Sequence, residues 1–562
     1  MTRKTRVVLI GFSGSGKSTV GRLLAARLGW DFLDTDAEVE ARFGASVPLI
    51  FEQHGEAVFR TAERRSLQEA LPRDLVVIAT GGGAVTDETM WEKNLLGSVE
   101  TLVVALEAST PTILSRLTAQ QAREGDAVRR PLLESARPFD RINGLKQQRQ
   151  RTYDRADLTL VVDAVSPDTV VDEIHELLRL GDSPAAPDIF LEAPSGASAI
   201  YVQPGAAGAV GELTRQRWPR AHRAWIVTDE RVGALHEERV RAGLAAHGFD
   251  VRVRRVPPGE GSKSLRVVSD VYDWLLKSGV ERGDVVVALG GGVIGDLAGF
   301  VAATCLRGLG LVQMPTSLLA MVDSSVGGKT GVNHPVGKNL IGAFYQPPLV
   351  VIDPLFLGTL PARDLTSGWA EVVKHAVIQP STPGGARADL LSFLERNVAR
   401  LRGLDEPATT YAIRRNVGLK AAVVAADERE AGGRALLNFG HTLGHAIEAA
   451  GYRYLHGEAI AVGMRAAARI GSGMGTCDLP FVARLDTLLD QFGLLPVAEV
   501  DTDRVLALLL TDKKREAGRQ RWVLPLAGGG ACIRDDVPAE LIEDALRAVT
   551  VAVPLVASAV QG

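Results

Sequence analysis

The chain has 562 residues, a formal net charge of -4, 46% hydrophobic and 23% charged residues, values of an ordinary soluble protein too long for one hydrophobic core. The acidic balance excludes a dedicated nucleic-acid binder, which carries a basic face, so any strong anion binding is local. Three widely spaced cysteines, Cys305, Cys477 and Cys532, exclude a disulfide framework and suit a reducing cytoplasm.

Residues 7–10 form a short apolar run behind Arg3, Lys4 and Arg6, and it ends too soon for a signal peptide. No apolar stretch reaches the roughly 18–20 residues of a membrane span, so no membrane partner is expected. The run reads instead as a strand, followed by Gly11-Phe12-Ser13-Gly14-Ser15-Gly16-Lys17-Ser18-Thr19 and an amphipathic helix, the full phosphate-loop pattern GxxxxGK[ST] in its required context. Successive backbone N–H groups of such a loop cradle phosphates, the lysine reaches the outer ones, and the hydroxyl of Ser18 is offered to Mg²⁺. ATP or GTP is therefore the expected ligand. A second strand is expected to end in Asp34 and Asp36, two carboxylates at alternate positions on one side, one for the metal and one for a hydroxyl. Further on come Phe59-Arg60 with Glu63, a strand running into Gly81-Gly82-Gly83, Arg129-Arg130-Pro131, and Arg149 before Tyr153.

This first part resembles shikimate kinase. The resemblance implies a P-loop domain over residues 1–180 that uses Mg²⁺ with ATP, with Gly14, Ser15, Gly16, Lys17, Ser18 and Thr19 at the nucleotide. It further implies Ser18 and Asp34 at Mg²⁺, Asp36 holding or deprotonating the accepting hydroxyl, and Arg60, Gly82 and Arg149 at shikimate. Arg130 would be a lid arginine meeting the transferring phosphate. One departure stands out: Arg151-Thr152 follow where the family has Pro-Leu.

Residues 181–198, rich in Pro, Gly, Ser and Ala without amphipathic period, are expected to be a linker. Beyond it, residues 224–229 and 251–256 read as buried strands of a nucleotide-binding α/β layer extending to about residue 355. The strand at 284–289 runs into Gly290-Gly291-Gly292-Val293-Ile294-Gly295-Asp296, which formally satisfies GxGxxG, and a pyrophosphate is expected there. Asp229 and Glu260 are alternative partners for ribose hydroxyls. Lys329 and Lys338 sit beside glycines in segments too apolar for plain surface, and Lys374, Lys420, Arg434, Lys513 and Lys514 extend a basic set that predicts a small, multiply anionic substrate.

The segment NFGHTLGHAIEAAGYRYLHGE, residues 438–458, concentrates His441, His445 and His456 and points to a metal. A helix puts the first two imidazoles on one face, and the third opens the next segment. Thr442 after the first histidine disfavours HExxH-type metalloprotease chemistry.

From about residue 229 to 525 the chain resembles 3-dehydroquinate synthase. The resemblance implies an NAD-binding α/β domain over 199–355 and an α-helical metal and substrate domain over 356–562. It implies zinc, or cobalt in its place, held by Glu371, His441 and His456, with His445 moved to the substrate side. NAD would contact Asp229, Glu260, Lys263, Gly291, Gly292, Asp296, Thr316, Ser317, Asp323, Lys329 and Lys338. Substrate would meet Asp323, Lys329, Asn339, Lys374, Lys420, Arg434, Asn438, His445 and Lys513, with Arg307 lent across a homodimer. Lys17, Asp36 and Arg130 in one half, and Lys329, Lys374, Arg434 and His445 in the other, are the residues expected to carry chemistry. The whole then reads as a bifunctional cytoplasmic enzyme of aromatic biosynthesis acting on shikimate and a heptulosonate phosphate. The rival reading is an NAD/zinc polyol dehydrogenase fused to another small-molecule kinase.

Overall fold

The computed structural model describes residues 4–124, 136–178, 186–385, 387–430, 432–451, 453–511, 515–516 and 519–552. The chain divides into two compact units, residues 1–182 with 386–397, and residues 183–385 with 398–562.

In the first unit, strands β1 (Arg6–Ile10), β2 (Asp31–Asp34), β3 (Val76–Ala79), β4 (Thr101–Glu107) and β5 (Leu158–Val161) form a parallel sheet in the order β2-β3-β1-β4-β5. Strands β1 and β3 are buried along their full length, as continuous apolar runs between two helix layers must be. Helices α1 (Lys17–Leu28), α2 (Thr35–Phe43), α3 (Val47–His54), α4 (Glu56–Ala70), α5 (Thr110–Glu124), α6 (Pro138–Tyr153) and α7 (Pro167–Leu178) complete the unit. The strand order reverses at β1, so the loop that follows it opens into the crevice where ligands of such sheets sit.

Two features differ from the expectation. Asp34 closes β2, but Asp36 lies in the first turn of α2, because the Asp34 carboxylate accepts from the Asp36 N–H at 3.1 Å and starts the helix. The segment 387–397 also belongs to this unit. There the Asn397 amide donates to the Thr159 carbonyl at 3.2 Å and accepts from its N–H at 3.4 Å, pairing buried backbone on the outer side of the edge strand β5. Arg387 makes a forked pair with Glu173, which is fully buried.

In the second unit, β6 (Ile189–Ala193), β7 (Gly196–Val202), β8 (Arg223–Asp229), β9 (Asp250–Val256), β10 (Val285–Gly290), β11 (Gly310–Pro315) and β14 (Leu349–Ile352) form a sheet ordered β6-β7-β14-β11-β10-β8-β9. All pairs are parallel except the hairpin β6–β7. That hairpin occupies most of the stretch expected as a linker. As the outermost strand of the sheet, β6 buries few of its residues and leaves Phe190 exposed, so it carries little apolar signal. A separate antiparallel hairpin, β12 (Lys329–His334) with β13 (Gly337–Phe344), carries the two expected lysines. Helices α8 (Val210–Arg217), α9 (Glu230–Ala246), α10 (Leu265–Lys277) and α11 (Gly292–Thr304) alternate with the strands. Then come α12 (Ala362–Ile378), α13 (Leu390–Arg402), which begins in the first unit, α14 (Glu406–Ala426), α15 (His441–Gly451) and α16 (His456–Gly473). Helices α12 and α16 are buried over most of their surface, which is why polar residues on them are under strong constraint.

Candidate active sites

In the first unit, Gly14 and Gly16 adopt left-handed backbone, φ 82° and 98°, which shapes the loop between β1 and α1. Lys17 is buried and donates to the carbonyls of Gly11 and Phe12, both at 2.9 Å. Burial lowers it to about 8, with Asp36 and Asp34 opposing. Three acids crowd the opposite wall: burial, then Glu63 and Asp34, raise Asp36 to about 7. One oxygen each of Asp36 and Glu63 is buried without a hydrogen-bond partner, while Arg60 donates to the other Glu63 oxygen at 2.7 Å. A methyl group on Gly81 would lie 1.9 Å from Glu63 Oε1 and 2.2 Å from Asp36 Oδ1, and one on Gly83 2.4 Å from Arg60 Nη1. The glycine run therefore exists to let these side chains in. Arg149 and Tyr153 both donate to the Gly82 carbonyl, at 3.0 and 2.6 Å. Arg60, Gly82, Arg149, Asp36 and Lys17 thus surround one space; Arg130 lies outside the described residues.

In the second unit, the strand order reverses between β8 and β10, whose ends present Asp229 and the glycines 290–292. The Asp229 carboxylate caps α9 through the N–H groups of Arg231 and Val232, at 2.8 and 2.9 Å. A side chain on Gly292 would meet Ser324 Oγ at 3.1 Å, and one on Gly291 would meet Ser317 Oγ at 3.4 Å. Thr316 follows β11, its N–H donating to the Gly290 carbonyl at 3.0 Å. Lys263 pairs with Asp296. Asn333 donates to Glu260 at 2.7 Å and accepts from the Asn339 N–H at 2.9 Å, with Asn339 itself at φ 57°.

The metal candidate lies among the helices. Glu371 on α12 is fully buried, and its Oε1 faces Nε2 of His441 at 3.6 Å and Nε2 of His456 at 3.4 Å. Glu371 Oε1 has no hydrogen-bond partner, Oε2 pairs with the Lys374 ammonium, and the three ligand atoms lie within 4.8 Å of one another. The His441 Nδ1–H donates to the Phe439 carbonyl at 3.1 Å and His456 Nδ1–H to Glu448 at 3.2 Å, so both rings present Nε2 inward. A carboxylate with two imidazole nitrogens and open positions is a donor set that fits zinc. Burial opposes the charged Glu371, yet Lys374 and the two imidazoles outweigh it and hold the carboxyl well down. The His445 ring lies 5.1 Å from His441 and 5.8 Å from His456, beside the triad.

Around it, Lys374 is buried against Glu371, with Asp323 3.9 Å away. Lys420 donates to Asp323 at 2.7 Å. Asp323 sits in a π-helical turn, Ala320–Ser324, a distortion that re-aims side chains at functional sites. Arg434 is buried and donates to the Glu428 carbonyl. Lys329 pairs with Glu430, and Lys338, expected at NAD, directs its ammonium to Glu448 at 2.7 Å. Arg307 is exposed and does not join the cluster; it and Leu306 hold left-handed backbone, φ 69° and 50°. Asn438 ends the turn before α15. Lys513 lies outside the described residues.

Sequence reasoning missed His375, Glu430 and Glu448. His375 Nδ1 bonds the Asn416 side chain at 3.0 Å and Nε2 lies 3.9 Å from Asp323; burial keeps it neutral, at about 3. Glu448 stands seven residues after His441, on the same helix face, a spacing that points to it. Glu430 lies in a turn at φ 62°, with no periodic signal.

Comparison with known proteins agrees with this division. Family models match residues 13–179 as shikimate kinase, 253–367 as 3-dehydroquinate synthase N-terminal and 368–515 as 3-dehydroquinate synthase C-terminal. A 3-dehydroquinate synthase of Symbiobacterium thermophilum is 46% identical over 354 residues, 62% of this chain and 97% of the relative. The solved structure of ValA, a 2-epi-5-epi-valiolone synthase from Streptomyces hygroscopicus subsp. jinggangensis 5008 with NAD+ and Zn2+ bound, is 31% identical, with TM-score 0.54 over 58% of this chain and 91% of that one. A 2-deoxy-scyllo-inosose synthase complexed with carbaglucose-6-phosphate, NAD+ and Co2+ is 25% identical, with TM-score 0.55 over 64% and 99%. With a shikimate kinase domain ahead of both synthase domains, the chain belongs to the 3-dehydroquinate synthase family as a bifunctional enzyme of the shikimate pathway.

Proposed function

We propose that the first unit phosphorylates shikimate to shikimate 3-phosphate with ATP and Mg²⁺. We further propose that the second converts 3-deoxy-D-arabino-heptulosonate 7-phosphate to 3-dehydroquinate and phosphate with NAD and zinc. The observation that carries the second reading is the buried Glu371 carboxylate facing two imidazole nitrogens beside a cluster of buried cations.

In the kinase reaction, residues 14–19 and Lys17 hold the phosphates, Ser18 and Asp34 serve Mg²⁺, and Arg60 with Arg149 clamps the shikimate carboxylate. Asp36, with its proton affinity raised to about 7, accepts the hydroxyl proton near neutral pH. Phosphoryl transfer needs this positioning and charge neutralisation more than covalent chemistry.

In the synthase reaction, Glu371, His441 and His456 hold the metal, and Asp229, Glu260, Lys263, Gly291, Gly292, Asp296, Thr316 and Ser317 line the nucleotide. When bound, zinc supplies a Lewis acid for a substrate hydroxyl and NAD a reversible hydride acceptor, which together make phosphate loss by β-elimination feasible. Asp323, kept ionised by Lys420 and Lys374 despite burial, orients hydroxyls. Lys329, Lys374, Lys420 and Arg434 neutralise the carboxylate and phosphate, and Asn339, Asn438 and His445 hydrogen-bond the substrate. The exposed Arg307, on strained backbone, suits a residue lent to a second copy in a homodimer.

Orthophosphate release from the seven-carbon keto-acid phosphate, assayed with and without a chelator, tests the synthase; no release with zinc and NAD supplied sinks it. Accumulation of NADH in that assay favours a polyol dehydrogenase instead. ADP formation that does not depend on shikimate counts against the kinase substrate.

A further inference from the structure

We infer that Glu448 is a positioning residue for the metal centre, and that Lys338 on hairpin β12–β13 anchors it. The inference rests on the proposed zinc reading and adds a carboxylate and a lysine to it.

The two candidate histidine ligands are held differently. His441 is oriented by a backbone carbonyl, the Phe439 oxygen at 3.1 Å, which a side-chain change cannot remove. His456 is oriented by a side chain, Glu448 Oε2 at 3.2 Å from Nδ1. A carboxylate fixes the proton on Nδ1, leaves the Nε2 lone pair toward Glu371, and makes that nitrogen the stronger donor. Glu448 is in turn held through its other oxygen by Lys338 Nζ at 2.7 Å. The chain Lys338, Glu448, His456 therefore runs from β13 through α15 to the first residue of α16. Glu448 is largely buried, with 16% of its side chain accessible, so water substitutes poorly for either partner. Lys338 is 41% accessible, so its replacement leaves the core intact. Through this chain the placement of a hairpin outside the metal shell acts on how tightly the metal is held.

The test is zinc competition against a chromophoric chelator on the full-length chain, with the apo thermal midpoint recorded for each variant. Glu448→Gln, which keeps shape but loses charge, is expected to raise the zinc dissociation constant about 10–100-fold. Lys338→Met is expected to raise it less, with the apo midpoint unchanged. With Co²⁺ in place of zinc, Glu448→Gln should also shift the visible absorption, which a purely structural role would not do. Zinc affinity and cobalt spectrum both unchanged in Glu448→Gln would overturn the relay while leaving the metal site standing. A wild-type chain that takes up no zinc would overturn both.

Discussion

Each half of the chain buries a carboxylate beside a lysine, and the two carboxylates are tuned in opposite directions. In the kinase unit, Asp36 shares its wall with Asp34 and Glu63, so burial and like charge raise it to about 7. In the synthase unit, Glu371 is more deeply buried but faces Lys374 and two imidazoles, and stays ionised. The lysines mirror this: Lys17 falls to about 8 under burial, whereas Lys374 is raised because Glu371 and Asp323 outweigh its burial. Burial is common to both sites, and the sign of the neighbours decides the outcome. A carboxyl poised near neutrality suits a proton acceptor, and one locked as an anion suits a metal ligand.

The comparison can be broken at several points, and each half's activity is an internal control for the other. Glu371→Gln should abolish zinc binding and cut phosphate release by about 10³-fold or more, read by metal analysis and turnover, with kinase activity retained. Asp36→Asn should lower kcat of the kinase by about 10²–10⁴-fold with phosphate release unchanged. Gly81→Ala, whose methyl would collide with Glu63 and Asp36, should reduce kcat/KM for shikimate by about 10²-fold, since small misplacements at such sites are costly. His445→Ala should lower phosphate release about 10–100-fold while bound zinc stays near stoichiometric, separating the histidine beside the triad from the two within it.

The legible parts of the chain were those whose chemistry is local in sequence. Residues 11–18 declare themselves because a phosphate loop is built from consecutive backbone, and His441 with His445 because helical period places both on one face. Residues 189–202 hid a hairpin because its outer strand buries only Leu191 and leaves Phe190 exposed, too little for an apolar pattern. Asp36 was misplaced onto β2 because Asp34 caps α2 earlier than the strand pattern suggests. Asn397, pairing the Thr159 backbone, and Glu430, meeting Lys329 from a turn, are tertiary contacts with no periodic trace. Glu371 entered the metal set only through family resemblance, since nothing in its own helix announces a ligand.

The opposite tuning is tested most directly by the pH dependence of kcat/KM for shikimate in the full-length chain. A carboxyl raised in the folded protein is protonated below its shifted pKa, so a base at Asp36 is lost as pH falls through about 7. The expected profile declines about tenfold per pH unit below that point, and the decline is absent from the residual activity of Asp36→Asn. A wild-type profile that stays flat down to about pH 5, where an ordinary carboxylate is still ionised, would contradict the raised Asp36.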